Sequence, residues 1–239
     1  MSPDVLKAPP SRFWSRRKHR SVHLLEGEFA DIDFLVDQAN WLTELTVTAF
    51  VEDIGAVASL KQLRRLQLWP TADGTGSTWS VDLSSLRLLE HLSIGPGVRV
   101  EVGDNTRIGY LHVDHIKVEL CDRIPEMQFL ESLRLDSPDC LPSRIPGRVS
   151  ELSIAVMRRW PETLRFSGME SLDFLQLENI RGMEDLSAFH GAPPIRRLYV
   201  EDCPNLSSID GITLLDDAEY LFVGRTPLRK TMGSRWSQK

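Results

Sequence analysis

The sequence predicts an α/β solenoid, a fold in which short strands and their return segments stack along the chain. Three observations predict it. An apolar residue, a second one three positions later and a third two positions after that form a pattern that recurs along most of the chain. The copies are 22 residues apart on average, and a fixed period of about 20–30 residues is typical of stacked repeats. Each copy ends in the apolar–polar–apolar alternation of a half-buried strand.

The segment LRRLQL, which begins at Leu63, shows the pattern. Leu66 and Leu68 lie two positions apart, so a strand turns both side chains to the same face. The intervening Gln67 and the preceding Arg65 face the other way. Leu63 packs under the strand as the chain enters it. A single unit of this kind cannot bury its apolar face alone, whereas stacked units share one continuous core.

Nine copies follow the pattern, and an earlier, degenerate copy runs through Val22 and Leu24. The middle apolar residues of the nine copies are Leu45, Leu66, Leu92, Leu111, Leu133, Leu152, Leu175, Leu198 and Leu221. We expect the strands of successive copies to pair in a parallel sheet, about 4.8 Å apart. The residues that flank each middle leucine then face outward.

These repeats resemble the leucine-rich repeat family, in a degenerate form like that of bacterial cytoplasmic members. The resemblance covers residues 21–224, and the L-x-x-L-x-L core is present in nearly all copies. Cys203 stands where the family has Asn or Cys, although the Asn is missing in most copies. The return path of one copy carries apolar residues at three-residue steps, namely Ile180, Met183, Leu186 and Phe189.

The resemblance implies a right-handed superhelix with a parallel sheet on its concave face and mixed short helices, 3₁₀ turns and strands on its convex face. Two convex segments can be predicted from the residues. Val98, Val100 and Val102 alternate with polar residues, which predicts a second strand on that side. Residues 30–39, ADIDFLVDQA, predict a short helix.

Charge divides the chain into three parts. The overall charge is −6, and the ends, residues 1–20 and 225–239, carry +5 each, so residues 21–224 carry −16. We therefore expect a basic N-terminal arm or cap, a solenoid of nine or ten repeats and a basic C-terminal tail. An acidic body favours a cationic partner and makes nucleic acid an unlikely one, because phosphate binding needs basic surface.

The cysteines and the hydropathy indicate a cytoplasmic protein. Cys121, Cys140 and Cys203 are odd in number and far apart, which favours reduced thiols over a disulfide framework or a zinc site. No apolar run approaches the 18 or so residues of a membrane span. Arg16 and Arg17 are followed by several acids rather than by the apolar region of an export signal, so we expect neither export nor membrane insertion.

In the leucine-rich repeat family the outward strand residues line a binding surface, and here they include many rings. Trp69, Tyr110, Phe174 and Tyr199 would face solvent as interface anchors. Tyr220 and Phe222 would either join them or cover the end of the solenoid.

The column three positions after each middle leucine is rich in acids. Asp114, Asp136, Glu178 and Glu201 share it, and like charges on neighbouring strands repel. A cationic partner would relieve the repulsion, while an ordinary solvated face remains an equal alternative. The predicted partner-binding residues are Trp69, Tyr110, His112, Asp114, Asp136, Phe174, Glu178, Tyr199, Glu201 and Tyr220.

Signs of catalysis or of cofactor binding are lacking in the sequence. It contains no G-x-S-x-G, P-loop or G-x-G-x-x-G motif. His91, His112 and His115 lie in adjacent copies beside Asp114, but no zinc-ligand spacing appears, so solvated histidines are favoured over a metal or acid–base site. We expect no metal and no cofactor.

The sequence therefore predicts a non-enzymatic protein that binds another protein through its concave face. One form is an immunity or inhibitor protein that blocks a basic toxin or enzyme. The alternative is a scaffold or adaptor that bridges several proteins.

Overall fold

The computed structural model describes residues 20–70, 78–103, 107–160, 166, 168–208, 215 and 218–227. The chain divides into two compact units, Met1–Val113 and Asp114–Lys239. Nearly all of the two expected basic arms lies outside the described residues. Arg20 and residues 225–227 are the described parts of those arms.

The first unit is built from short strands that follow one another along the chain. They are β1 (Ser21–Leu24), β2 (Glu28–Asp31), β3 (Glu44–Val47), β4 (Phe50–Asp53), β5 (Arg65–Leu68), β6 (Trp79–Asp82), β7 (His91–Ile94), β8 (Val98–Glu101) and β9 (Tyr110–Asp114). Its main sheet has the order β1-β3-β5-β7-β9, and every described pairing is parallel. Sequential, parallel neighbours are the arrangement that the repeats predict.

The register of this sheet follows the repeat pattern. Leu45 pairs with Leu66, which pairs with Leu92, and Leu92 pairs with Leu111. Val22 of the degenerate first copy pairs with Leu45. All five side chains are buried, so the predicted register and the predicted first copy are confirmed for this unit.

Two small parallel sheets lie on the return segments of the first unit. One joins β2 to β4 and the other joins β6 to β8. The strand predicted around Val98 and Val100 is confirmed as β8, although it ends at Glu101, one residue before Val102. The β2–β4 sheet was not predicted.

Short 3₁₀ helices make up the rest of the return path in this unit, at Asp33–Gln38 and Gly55–Ser59. The short helix predicted over 30–39 is present as Asp33–Gln38 and begins three residues later than predicted. Residues 30 and 31 end β2, and the helix that follows is a 3₁₀ helix. A single turn favours 3₁₀ geometry because it has few residues over which an α-helix could propagate.

The second unit repeats the plan with longer strands. They are β10 (Ser132–Asp136), β11 (Glu151–Met157), β12 (Leu172–Ile180), β13 (Ile195–Glu201) and β14 (Tyr220–Gly224). These run parallel in chain order. One α-helix, α1 (Val118–Arg123), and two 3₁₀ helices, Ile124–Glu126 and Ser187–Phe189, occupy its described return segments.

The middle leucines of this unit also stand in one row. Leu133 pairs with Leu152, Leu152 with Leu175, Leu175 with Leu198 and Leu198 with Leu221. The first four are buried and Leu221, on the last strand, is half-buried. Burial of one such side chain contributes about 1.5–3 kcal/mol, so this row is a main source of stability.

The return segments of the second unit complete the core with the predicted residues. Ile180, Met183, Leu186 and Phe189 are all buried. The buried thiol of Cys203 donates to the carbonyl oxygens of Leu177, 3.8 Å away, and Glu201, 3.4 Å away. It thereby satisfies turn backbone at the position where the family resemblance implies Asn or Cys.

Near the C-terminal end of each strand of the second unit lies a residue with a left-handed backbone conformation. Four residues after each middle leucine from Leu111 onward stands a non-glycine residue with φ between 45° and 57°. These six residues are His115, Ser137, Val156, Asn179, Asp202 and Arg225. The corresponding positions of the first unit include Pro70 and Pro96, whose rings fix φ near −65° and prevent this bend.

No helix within the described ranges has both the length and the apolar character needed to cross a membrane. The three cysteines are all free thiols. Cys121 and Cys203 are buried, and Cys140 is half-buried.

Candidate functional site

The outward residues of the second unit form three columns, which we call the second strand face. Strand alternation turns these residues away from the core. Direct pairing aligns Ser132, Glu151, Phe174, Arg197 and Tyr220 in the first column, Arg134, Ser153, Gln176, Tyr199 and Phe222 in the second, and Asp136, Ala155, Glu178, Glu201 and Gly224 in the third.

Aromatic rings occupy one end of this face. The rings of Tyr199 and Phe222 stack with their centroids 4.5 Å apart and their planes 9° from parallel. Gly224 makes room for them, because a Cβ there would lie 2.9 Å from Cε1 of Phe222. The guanidinium of Arg197 lies 5.3 Å from the centroid of the Phe174 ring. These rings are half-buried against their neighbours rather than fully exposed as the sequence predicts.

Tyr220 is the most open ring of the face. Its relative exposure is 52%, and it ranks among the exposed large hydrophobic residues of the chain. It pairs directly with Arg197 on the neighbouring strand. An open ring beside a half-buried cluster is typical of a contact surface.

Glu201 has internal partners for its charge. It accepts hydrogen bonds from the Tyr199 hydroxyl and from the Arg225 guanidinium, the latter at 2.8 Å. The Tyr199 hydrogen bond is the main reason that the pKa of Glu201 lies below its ordinary value, and Arg225 adds to it. The same hydrogen bond raises the pKa of Tyr199 to about 12.

The other two acids of the third column, Asp136 and Glu178, differ in the partners of their carboxylates. Arg134 lies 3.0 Å from Asp136 on the same strand. Glu178, which pairs directly with Glu201, accepts a hydrogen bond of 3.3 Å from the Gln176 amide. No cation pairs with Glu178 among the residues that the structure describes. Repulsion along the column is thus relieved internally at Asp136 and Glu201, whereas the described partner of Glu178 is an uncharged amide.

Asp114 stands at the end of β9 and contacts the histidine that follows it. Its carboxylate lies 2.8 Å from Nδ1 of His115. The residue is half-buried. Asp114 belongs to none of the three columns of the second strand face.

The predicted residues of the first unit form a separate cluster. Nε1 of Trp69 donates to Oγ of Ser93 at 3.0 Å, and that hydroxyl lies 3.3 Å from Nδ1 of His112. The rings of Trp69 and His112 are 5.1 Å apart. Gly95 lets Trp69 lie across the sheet, because a Cβ there would be 2.8 Å from the indole Cε3. Tyr110, which is half-buried, is the third predicted residue of this unit.

The ring of Tyr110 packs on that of His91, with centroids 5.6 Å apart. Each of the three histidines considered as metal ligands therefore has its own local partner. Within the described part of the chain, no group of three or more His, Cys, Asp or Glu residues could hold a metal ion.

The structure brings together five of the ten predicted residues on the second strand face, at its C-terminal end: Phe174, Glu178, Tyr199, Glu201 and Tyr220. Asp136 shares their face but is separated from Glu178 by Ala155. Sequence reasoning missed the roles of Arg197 and Arg225. Arg197 was visible in its column, whereas the contact between Arg225 and Glu201 depends on the bend after β14.

The chain was compared with known protein families and with curated proteins, and neither comparison finds a match.

Proposed function

We propose that the protein is a non-catalytic module that binds a protein partner through the second strand face. One observation carries the proposal. The directly paired Glu178 and Glu201 stand beside the stacked rings of Tyr199 and Phe222, so acid and apolar surface lie side by side on neighbouring strands. Rings that anchor and charges that orient are a typical combination in protein interfaces.

The partner that fits this face carries basic surface. Glu178 offers a carboxylate with an amide as its described neighbour, and the acidic middle of the chain would steer a cationic protein toward it. Tyr220 supplies open ring area in the first column of the same face. A concrete form is an inhibitor or immunity protein that covers the active site of a basic toxin or enzyme.

The second candidate is a scaffold that bridges two proteins. It is favoured by the presence of a distinct ring cluster in each unit, Trp69 with His112 in the first and Tyr199 with Phe222 in the second. A scaffold would bind different partners through the two clusters, whereas an inhibitor would bind one.

We further propose that the repeats are of the leucine-rich repeat type, wound as a right-handed solenoid with the strands on the concave side. The sequential parallel strands and the short return segments of each unit support this. We place the protein in the cytoplasm, since three free thiols suit a reducing compartment.

Photo-crosslinking tests the proposal at the level of one residue. A photoreactive benzoyl-phenylalanine is placed at Tyr220, and in a control protein at Val118, which is similarly exposed on α1. Both proteins are irradiated in a lysate of the source cells. We expect one crosslinked basic protein from position 220 and none of it from position 118. Equal crosslinking from both positions would contradict the proposed face.

A further inference from the structure

A groove of about 1050 Å³ lies where the strands of the second unit end. The left-handed bend residues His115, Ser137, Val156 and Asn179 line it, together with residues 138–141, which include the acid Asp139, with the segment that follows β11 and with Arg181. The groove contains none of the residues assigned above to the partner-binding face.

Like charges are placed side by side in this groove. Arg158 and Arg181 directly follow Met157 and Ile180, which pair with each other across β11 and β12. The backbone amide of Arg181 donates to the carbonyl of Met157 at 2.8 Å, which continues the pairing. Two cations on adjacent strands destabilise a sheet unless an anion lies between them.

The charges at this repeat position are balanced at one side of the groove. Six residues after their middle leucines, Lys117 and Asp139 form an ion pair of 2.9 Å, and Asp139 lines the groove. Arg158 and Arg181 occupy this position in the next two repeats, with Arg159 beside Arg158 in the chain. Asp139 is thus occupied by Lys117, and Arg158 and Arg181 are the neighbouring pair in which cation meets cation.

The arginines of the groove are also exceptional within their unit. Six of the ten arginines described in the second unit form ion pairs, namely Arg123, Arg134, Arg148, Arg196, Arg197 and Arg225. Among the described residues, Arg158, Arg159 and Arg181 pair with no carboxylate. In a chain with excess acid, three arginines that line one groove without a carboxylate partner indicate a site for an anion.

The groove wall contains a strained residue and a close backbone contact. Val156 has φ of 57° although it is β-branched, and its side chain is 49% exposed, so burial does not offset the strain. Gly182 holds the next segment in place, because a Cβ there would lie 2.6 Å from Cα of Arg159 and 3.0 Å from N of Trp160. Strained backbone that is held by close packing is typical of binding sites.

The lining selects among anions. Guanidinium groups bind phosphate and carboxylate in a two-pronged geometry. Trp160 adds a half-buried ring that packs on Phe189 with centroids 5.2 Å apart. Arginines alone bind phosphate and carboxylate alike, so the ring of Trp160 is the feature that favours a ligand with an aromatic group beside its anion.

We propose that the groove binds a nucleotide, with its phosphates on Arg158, Arg159 and Arg181 and its base against Trp160. The volume lies at the upper end of small-ligand sites, and aromatic stacking with arginine–phosphate contacts is the chemistry by which nucleotide units are bound. The site is independent of the proposed protein-binding face, so either proposal can fail alone.

Calorimetric titration of the full chain with ATP, GTP, CTP and UTP tests the site. We expect at least one of them to bind, and binding to weaken about tenfold in Arg159→Gln and in Arg181→Gln, since each removes a charged hydrogen-bond donor. Arg144→Gln is the matched control, because Arg144 is also exposed and forms no ion pair among the described residues, but lies in another depression. Circular dichroism checks that all variants are folded.

Alkylation of Cys140 locates the ligand independently. This half-buried thiol lines the groove, and Cys121 and Cys203 are buried internal references. Burial raises the pKa of Cys140, so the labelling is done at alkaline pH. We expect the bound nucleotide to slow alkylation of Cys140.

Four results would overturn the proposal. They are no binding of any of the four nucleotides, equal loss of affinity in Arg144→Gln, binding of poly-L-glutamate in place of nucleotides, and binding of inorganic tripolyphosphate as tight as that of the nucleotides with no effect of Trp160→Ala. The third result would identify an acidic peptide as the ligand. The fourth would show that the nucleotide base makes no contact with Trp160.

Discussion

The ring of Phe222 lies on the ring of Tyr199 at directly paired positions of β14 and β13, with centroids 4.5 Å apart. Such aromatic pairs contribute about 0.5–1.5 kcal/mol beyond their buried area. The pair also fixes the Tyr199 hydroxyl on Glu201. One cross-strand contact thereby connects the apolar part of the second strand face to its charged part.

Stability should depend on pH through this hydroxyl. The pKa of Glu201 is lowered from 4.5, so its contribution is present above that pH and is lost as the pH falls through the folded-state pKa. The pKa of Tyr199 is raised from 10.0 to about 12, so its contribution is present below pH 10 and is lost as the pH rises toward 12. Urea unfolding at a series of pH values measures the free energy of unfolding, and so the loss of stability at low and at high pH.

Tyr199→Phe is the variant that isolates the effect. We expect wild type to be more stable than this variant between about pH 5 and 10. The difference should shrink on either side, because acid protonates the Glu201 carboxylate and base deprotonates the Tyr199 hydroxyl, and either change weakens the hydrogen bond between them. A difference that does not change with pH would show that the hydrogen bond contributes nothing to the linkage.

Replacing a middle leucine with alanine should lower the free energy of unfolding more in the interior of the sheet than on its last strand. Leu198 is fully buried between paired strands, whereas Leu221 on the last strand is half-buried. Leu198→Ala should lower the free energy of unfolding by about 2–5 kcal/mol, and Leu221→Ala should cost less because its site is open to water. Equal costs in chemical denaturation would be inconsistent with a core shared between repeats.

The bend after β11 predicts a stabilising substitution. Val156 is exposed and left-handed, and asparagine adopts this conformation more easily than a β-branched residue. Val156→Asn should therefore raise the free energy of unfolding by about 1 kcal/mol. Val118→Asn, at an exposed valine of α1, is the control and should not stabilise. A loss of stability in Val156→Asn would refute the strained bend.

Close packing at Gly182 predicts a destabilising substitution. A methyl group there meets the backbone of Arg159 at 2.6 Å, and backbone cannot move aside cheaply. Gly182→Ala should cost about 1–3 kcal/mol. Gly55→Ala is the comparison, since its Cβ would meet only side-chain atoms of Asp53, at 3.0 Å or more, and it should cost less than Gly182→Ala.

Much of the fold could be predicted because the repeats determine it. The spacing of Leu45, Leu66 and Leu92 is enough to set a parallel register, and each leucine is paired and buried as expected. The small β2–β4 sheet could not be predicted. Only Val51 is buried among the eight residues of its two strands, which therefore lack the alternation that marks a half-buried strand.

The candidate sites were only partly visible in the sequence. The columns around the middle leucines identified Tyr199 and Glu201. The ion pair between Arg225 and Glu201 depends on the bend after β14, which no sequence motif predicts. The groove was missed because Arg158 and Arg181 are 23 positions apart in the chain. They could have been found by extending the repeat columns to six residues beyond each middle leucine.

The central claim is that a basic protein binds the second strand face through Glu178 and Glu201. Its most direct test is a pull-down from the lysate of the source cells with wild type, with Glu178→Lys/Glu201→Lys, and with Glu28→Lys/Glu52→Lys. The last variant has the same net charge, and both of its substitutions lie on exposed residues of the β2–β4 sheet. Circular dichroism confirms folding in each case.

We predict that one basic protein is captured by wild type and by Glu28→Lys/Glu52→Lys, and that Glu178→Lys/Glu201→Lys loses it. Capture that persists in all three proteins, or that both variants lose equally, would contradict a role for this face.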